Sequence, residues 1–148
     1  MTASTPEDVV RLFLESMALG DADTAVALIH PDIEYVNVSL PTLRSAGTTK
    51  VVRLLDNPRL GFGVNLINTA TTNNVVLTER IDELRAGRFR TQFWVCGRFE
   101  VQDNRITVWR DYFDWFDITK ATFRGLLALA IPSLQTPLPA PVNIFGKK

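Results

Sequence analysis

The sequence predicts an α+β domain in which short helices come first and a curved, mixed but mainly antiparallel sheet follows, with the N-terminal helices on its concave face. Three observations carry this. Apolar residues recur at helical spacing through the first thirty or so positions. From residue 63 onward they alternate instead, in runs separated by the turn formers Asn73-Asn74, Ala86-Gly87 and Asp103-Asn104. The chain has 148 residues, the length of one ordinary domain with one sizeable core.

Taken in order, Thr5-Pro6-Glu7-Asp8 reads as a helix start. A threonine can cap, proline suits the first turn, and two acids favour the positive end of the helix dipole. Val9, Val10, Phe13, Leu14 and Met17 then repeat at helical spacing until Gly20. A short helix fits Asp23 to Ile29, stopped by Pro31. IEYVNVSL at 33–40 reads as a strand, and Thr48 to Leu55 as a short helix broken by Asn57-Pro58. Four strands follow at 63–71, 75–85, 89–101 and 106–116, and Thr119 to Ile131 returns to helix. Residues 1–131 form the expected single domain. Residues 132–148, with four prolines between 132 and 141, read as an irregular tail.

Composition excludes several classes of function. Sixteen basic and sixteen acidic residues cancel, so nothing electrostatic invites nucleic acid, an anionic membrane or a polyanionic substrate. Cys96 is the only cysteine, which excludes an internal disulfide. Lying near Trp94, Val95 and Phe99, it reads as buried and inert, with the sole histidine, His30, as its only possible base. There is no HExxH, no paired cysteines and no Gly-rich phosphate loop, so neither metal nor cofactor is expected. No signal-peptide pattern is visible, and GLLALAIPSL at 125–134 is far short of the roughly 20 residues that span a bilayer. A cytoplasmic protein without membrane insertion is the expectation.

The anomaly is VWRDYFDWFD at 108–117, where aspartates sit among aromatic rings. Alternation puts Trp109, Asp111 and Phe113 on one face of a strand and Arg110, Tyr112 and Asp114 on the other. One carboxylate therefore lies between two rings, while Asp114 and Asp117 read as surface or helix-capping groups. In TERIDEL, Arg80 and Asp82 share a face with Leu84. Alone, that pair reads as a solvated salt bridge contributing about 1 kcal/mol at most. In EYVNV, Tyr35 and Asn37 share a face and would ordinarily be edge polar groups. If all five face one cavity, two carboxylates and one guanidinium leave a surplus negative charge. Burial and like-charge repulsion then hold one proton on the pair. The product is a neutral acid and an ionised base, with Tyr35 and Asn37 to orient a water.

The residues Y-x-N at 35–37, T-E-R-x-D-x-L at 78–84 and W-R-D-Y-F-D at 109–114 resemble, in order and spacing, the limonene-1,2-epoxide hydrolase family across roughly residues 5–117. The resemblance implies a cone-shaped fold like nuclear transport factor (cystatin-like), usually a homodimer, acting on a small hydrophobic epoxide and water. It implies that Asp111 activates water with Tyr35 and Asn37, that Asp82 protonates the epoxide oxygen, and that Arg80 bridges the two. Leu84, Phe93, Val95 and Phe113 fall where the pocket lining is expected, although such residues also serve as ordinary core. Two other readings remain open at this stage. A ketosteroid-isomerase-like enzyme would use one carboxylate and Tyr35 but has no role for Arg80. A hydrophobic-ligand-binding protein would need the cavity but not two inward aspartates.

Overall fold

The structure is a computed structural model that describes residues 5–139. The first helix, α1 (Pro6–Ala18), begins where the capping signals place it. Thr5 Oγ1 accepts from Asp8 N at 3.2 Å, and Thr5 N donates to Asp8 Oδ2 at 3.0 Å, a reciprocal pair that satisfies two of the helix's otherwise orphaned N–H groups. Val9, Val10, Phe13, Leu14 and Met17 are buried, as the 3.6-residue spacing requires. The short α2 (Ala22–Ala27) is capped by Asp21, and α3 (Ser45–Leu55) follows the first strand.

Among the described residues, five strands form one sheet: β1 (Ile29–Asn37), β2 (Leu60–Thr72), β3 (Val75–Ala86), β4 (Phe89–Gln102) and β5 (Arg105–Phe113), in the order β1-β5-β4-β3-β2. β2 to β5 are an antiparallel meander, and β1 returns parallel to β5. Asp103 and Asn104 both adopt positive φ, at 51° and 60°, as a two-residue hairpin turn demands. β1 starts at Ile29 rather than at 33, running through Pro31. That proline sits on an edge strand, where no ladder donor is missed, and the β1–β5 register is irregular between Ile29 and Glu34.

The inner face carries the core. Ile33, Tyr35, Phe62, Val64, Val76, Phe99 and Trp109 pack there with the apolar stripe of α1. α1 is also tied to the edge strand β2: Thr69 Oγ1 donates to Glu7 Oε1 at 2.6 Å and accepts from Arg11 Nη2 at 3.3 Å. Cys96 is not in this core. It pairs in register with Glu79 and Tyr112, which places it half-buried on the outer face, because the alternation that turns Val95 and Gly97 inward turns Cys96 out.

The last strand ends at Phe113, and α4 (Trp115–Ala128) begins four residues before the expected Thr119. Asp114 sets that boundary, accepting from Phe116 N at 2.9 Å and Asp117 N at 3.1 Å. α4 then runs along the part of β4 that β5 leaves uncovered. Asp117 Oδ2 accepts from Trp94 N at 3.0 Å, and Arg124 Nη2 donates to the Gln92 carbonyl at 3.0 Å. Ala121 of α4 is buried against Phe93 and Val95, with Phe113 and Ile118 at the margin. Pro132–Leu134 make one 3₁₀ turn, and the chain then crosses Gln92, whose Nε2 donates to Thr136 O at 2.8 Å. The remainder of the expected tail, 140–148, lies outside the described residues. Among the described residues, no helix is long and apolar enough to cross a membrane.

The approach of α4 to β4 depends on Gly125. A Cβ there would overlap the Arg90 carbonyl oxygen and lie 3.0 Å from the Phe89 ring. Gly125→Ala gains helix propensity of about 1 kcal/mol, yet the obstacle is backbone and cannot swing aside. Overpacking of this kind costs about 1–3 kcal/mol, so thermal unfolding is expected at a lower temperature than for the wild type. A raised melting temperature would show that α4 does not seat this closely.

Candidate active site

Three strands bring the sequence's anomalous residues onto one patch of the inner face. Tyr35 pairs in register with Trp109, and Asn37 with Asp111. Asp111 pairs with Gly97, which pairs on its other side with Thr78; Arg80 pairs with Val95, and Asp82 with Phe93. Paired residues point to the same side of a sheet, so the five polar candidates and three of the expected lining residues, Phe93, Val95 and Phe113, share one surface. Leu84 shares that face too, but at 38% exposed it stands at the rim.

Arg80 is the centre. It is 0% exposed, and the carboxylates beside it, Asp82 and Asp111, are 5% and 2% exposed. Its Nε donates to Asp82 Oδ1 at 2.8 Å and its Nη2 to Asp82 Oδ2 at 3.1 Å, a two-pronged grip. Nη2 also donates to Asp111 Oδ1 at 2.8 Å, and Nη1 donates to Thr78 Oγ1 at 3.0 Å. Arg80-x-Asp82 is thus a buried bridge to a third residue rather than a solvated pair. Asp111 Oδ2 accepts from the Trp109 indole Nε1 at 2.9 Å. On the neighbouring strand, the Tyr35 hydroxyl donates to Asn37 Oδ1 at 3.1 Å. The backbone of Tyr35 is held on its open side by Leu43, through hydrogen bonds of 2.8 and 2.9 Å.

The electrostatics follow from that burial. Loss of water pushes the Asp82 carboxyl up to about 6 against the pull of Arg80, and the nearby Asp111 charge adds to the rise. Burial raises Asp111 as well, opposed by Arg80 and by the Trp109 hydrogen bond. Desolvation alone would lower Arg80, but the two carboxylates more than reverse it, so the guanidinium stays charged. Tyr35 is raised by burial first and by Asp111 second, so its hydroxyl stays protonated and able to donate. Two carboxylates around one fixed cation, both displaced upward, take up and release protons as a pair rather than independently.

Two contributors were not singled out from the sequence. Thr78 fixes the far end of the guanidinium, and its signal was its place two residues before Arg80 on the same face. Gly97 lies on β4 between Thr78 and Asp111, on the path by which Arg80 reaches from β3 across to β5. A Cβ at Gly97 would overlap Arg80 Nη1 and lie 2.7 Å from Thr78 Oγ1 and 3.0 Å from the Phe99 ring. Its signal was a glycine inside a strand, which marks close approach of another group. Gly97→Ala is therefore expected to lower stability by about 1–3 kcal/mol and to displace the guanidinium from Asp111. Gly61→Ala, whose new Cβ meets the partly exposed Arg85 side chain, serves as the milder comparison in the same chemical denaturation series. Equal stability of Gly97→Ala and wild type would show that Arg80 does not cross at this point.

Comparison with known proteins agrees with this geometry. A model of the limonene-1,2-epoxide hydrolase catalytic domain matches residues 4–124, a span that holds every residue of the patch. The chain is 43% identical over 129 residues to epoxide hydrolase EphG of Mycobacterium tuberculosis, covering 87% of each. It is similar in structure to an LEH-like epoxide hydrolase from M. tuberculosis, with a TM-score of 0.85 and 42% identity over 90% of this chain and 95% of that one. An NTF2-like protein of unknown function from Cytophaga hutchinsonii shares the fold alone, with a TM-score of 0.62 at 16% identity over 76% of this chain and 93% of that one. The cone fold, the order of the buried polar residues along it and the extent of these matches lead to one assignment: the chain belongs to the limonene-1,2-epoxide hydrolase family.

Proposed function

We propose that this epoxide hydrolase opens a hydrophobic epoxide to a vicinal diol in one displacement, with Asp111 as general base and Asp82 as general acid. The observation that carries the reading is the buried Asp82–Arg80–Asp111 bridge, which holds two carboxyl groups in fixed orientation; in this reading the pair shares one proton. Asp111 is read as the base because it pairs across the ladder with Asn37, which accepts from the Tyr35 hydroxyl one rung away; in this reading Tyr35 and Asn37 orient the water. Asp111 takes a proton from water as the water oxygen attacks one epoxide carbon. The carbon–oxygen bond breaks, and Asp82 delivers its proton to the departing oxygen. The attacked carbon inverts. A proton passed from Asp111 back to Asp82 restores the starting state. Phe93, Val95, Phe113 and Leu84 supply apolar walls suited to a hydrophobic substrate. No step calls for a cofactor. We also read the chain as a homodimer, a reading supported by Leu77, Trp94 and Tyr112 exposed together on the outer face of the sheet.

Asp111→Asn and Asp82→Asn are each expected to lower turnover by about 10²–10⁴-fold, measured as diol formed from a panel of hydrophobic epoxides. Asp114→Asn, which keeps a helix cap, is expected to leave turnover near wild type. A tenth or more of wild-type activity in either of the first two would remove that residue from its role. Arg80→Lys is expected to fail nearly as badly, since an ammonium cannot hold two carboxylates at set angles.

The origin of the diol oxygen separates one displacement from two. A single turnover in ¹⁸O-water with enzyme in excess is expected to put the label in the diol. Unlabelled diol, with ¹⁸O left in an aspartate, would instead show a covalent ester intermediate.

A further inference from the structure

Trp109 is more deeply involved in the site than its place in a hydrophobic core requires. It is 3% exposed, and its indole N–H is spent on a carboxylate oxygen, not on backbone. The two oxygens of Asp111 are held by donors from different strands: Oδ1 by Arg80 of β3 and Oδ2 by Trp109 of β5 itself. Those two hydrogen bonds fix the plane of the carboxylate. The face of the same indole stacks on the Tyr35 ring, with centroids 3.8 Å apart and planes 17° from parallel. Trp109 is in turn boxed by Phe13 of α1, edge-on at 5.0 Å, and by Phe99 of β4 at 6.3 Å. Tyr35, Asn37, Trp109 and Asp111 thus occupy two successive inward rungs of the β1–β5 ladder, and Trp109 touches both Asp111 and Tyr35.

We propose that Trp109 is a positioning residue for epoxide opening: its N–H holds Asp111 in the ionised form with its plane set for the water, and its ring face sets the angle of Tyr35. This rests on the reading of Asp111 as the base. A neutral phenyl ring at 109 would keep most of the stack but remove the donor. Asp111 would then lose one of the two hydrogen bonds that favour its charged form, and a carboxylate in a dry site that loses a donor binds its proton more tightly. The direction agrees with the Trp109 hydrogen bond pulling Asp111 down against burial. The other charged or titratable groups facing Asp111 are Arg80 and Asp82 of β3 and Tyr35 of β1. β4 offers Val95, Gly97 and Phe99, and α1 offers Phe13. The buried carboxylate of α1, Glu15, is raised by burial and opposed by Arg11 of the same helix.

The test is the pH profile of kcat/KM for Trp109→Phe, run beside Asp111→Asn. The base must be ionised to act, so a raised Asp111 pKa moves the acid limb to higher pH. The expected result is an acid limb shifted up by about one pH unit, with kcat down about tenfold or more and KM changed much less. Site-specific replacement of Trp109 by 3-benzothienylalanine, which carries sulfur where indole carries N–H, keeps the shape and decides the matter if Trp109→Phe does not fold. It is expected to give the same shift. An acid limb at the wild-type position in either folded variant overturns the proposal, whatever happens to kcat. If Asp111→Asn is inactive and the limb does not move, only the role of Trp109 fails. If Asp111→Asn remains active, the reading of Asp111 as base fails first and this proposal with it.

Discussion

Arg80 carries a positive charge with no access to water, and the rest of the site is arranged around that fact. Moving a guanidinium out of solvent costs several kcal/mol, and only close partners in good geometry offset it. Arg80 has three: a chelating carboxylate on its own strand, a threonine hydroxyl on the same strand, and a second carboxylate two strands away. Such an arrangement is poor as a stabilising device, because apolar residues of the same volume would often serve folding as well or better. In the reading proposed above its use is chemical: a buried cation that keeps its charge holds two carboxyl groups in place at set angles.

The topology determines which residues can join this bridge. Among the described residues β1 is the only strand that pairs parallel, and it brings Tyr35 and Asn37 beside Trp109 and Asp111. β4 separates the two acidic strands by about 10 Å, a gap that only a long side chain crosses. The pairing must also be in phase. A slip of one residue between β4 and β5 would turn Asp111 and Trp109 to the outer face together, so the register of the meander and the integrity of the site are a single requirement. α4 guards that register at the open end, with Asp117 taking the place of a strand partner for Trp94.

Much of this was legible in the sequence, and the failures have physical reasons. The start of α1 was readable because a capping box is local chemistry, and the hairpin turns because few residues accept positive φ. Asp111 stood out because a charge between aromatic rings on an alternating strand has few bland explanations, whereas Arg80 with Asp82 and Tyr35 with Asn37 read as ordinary polar pairs singly and gained meaning only together and through the family resemblance. What sequence could not give was anything set by contact across strands. Trp115 and Phe116 extend the aromatic run of β5 and look like strand, yet they are largely exposed on α4, since a single Asp114 cap outweighs the pattern. Cys96 looked buried from its neighbours in sequence, but its neighbours in space are Glu79 and Tyr112. Trp109 was visible as a ring on the same face as Asp111; that it also donates a hydrogen bond to that carboxylate is set by side-chain geometry. Thr78 and Gly97 matter only through the shape of a side chain that starts on another strand or ends elsewhere.

Gly97 has a consequence for the order in which such a site can arise. A side chain at 97 would stand against Arg80 Nη1 and Thr78 Oγ1, on the line by which the guanidinium reaches Asp111. Without that arginine, a glycine in the middle of β4 is a liability, weakening the strand by about 0.5–1 kcal/mol relative to alanine. Each substitution is unfavourable until the other is present. Positions 80 and 97 are therefore one choice and not two: the long side chain on β3 and the missing one on β4 make sense only as a pair.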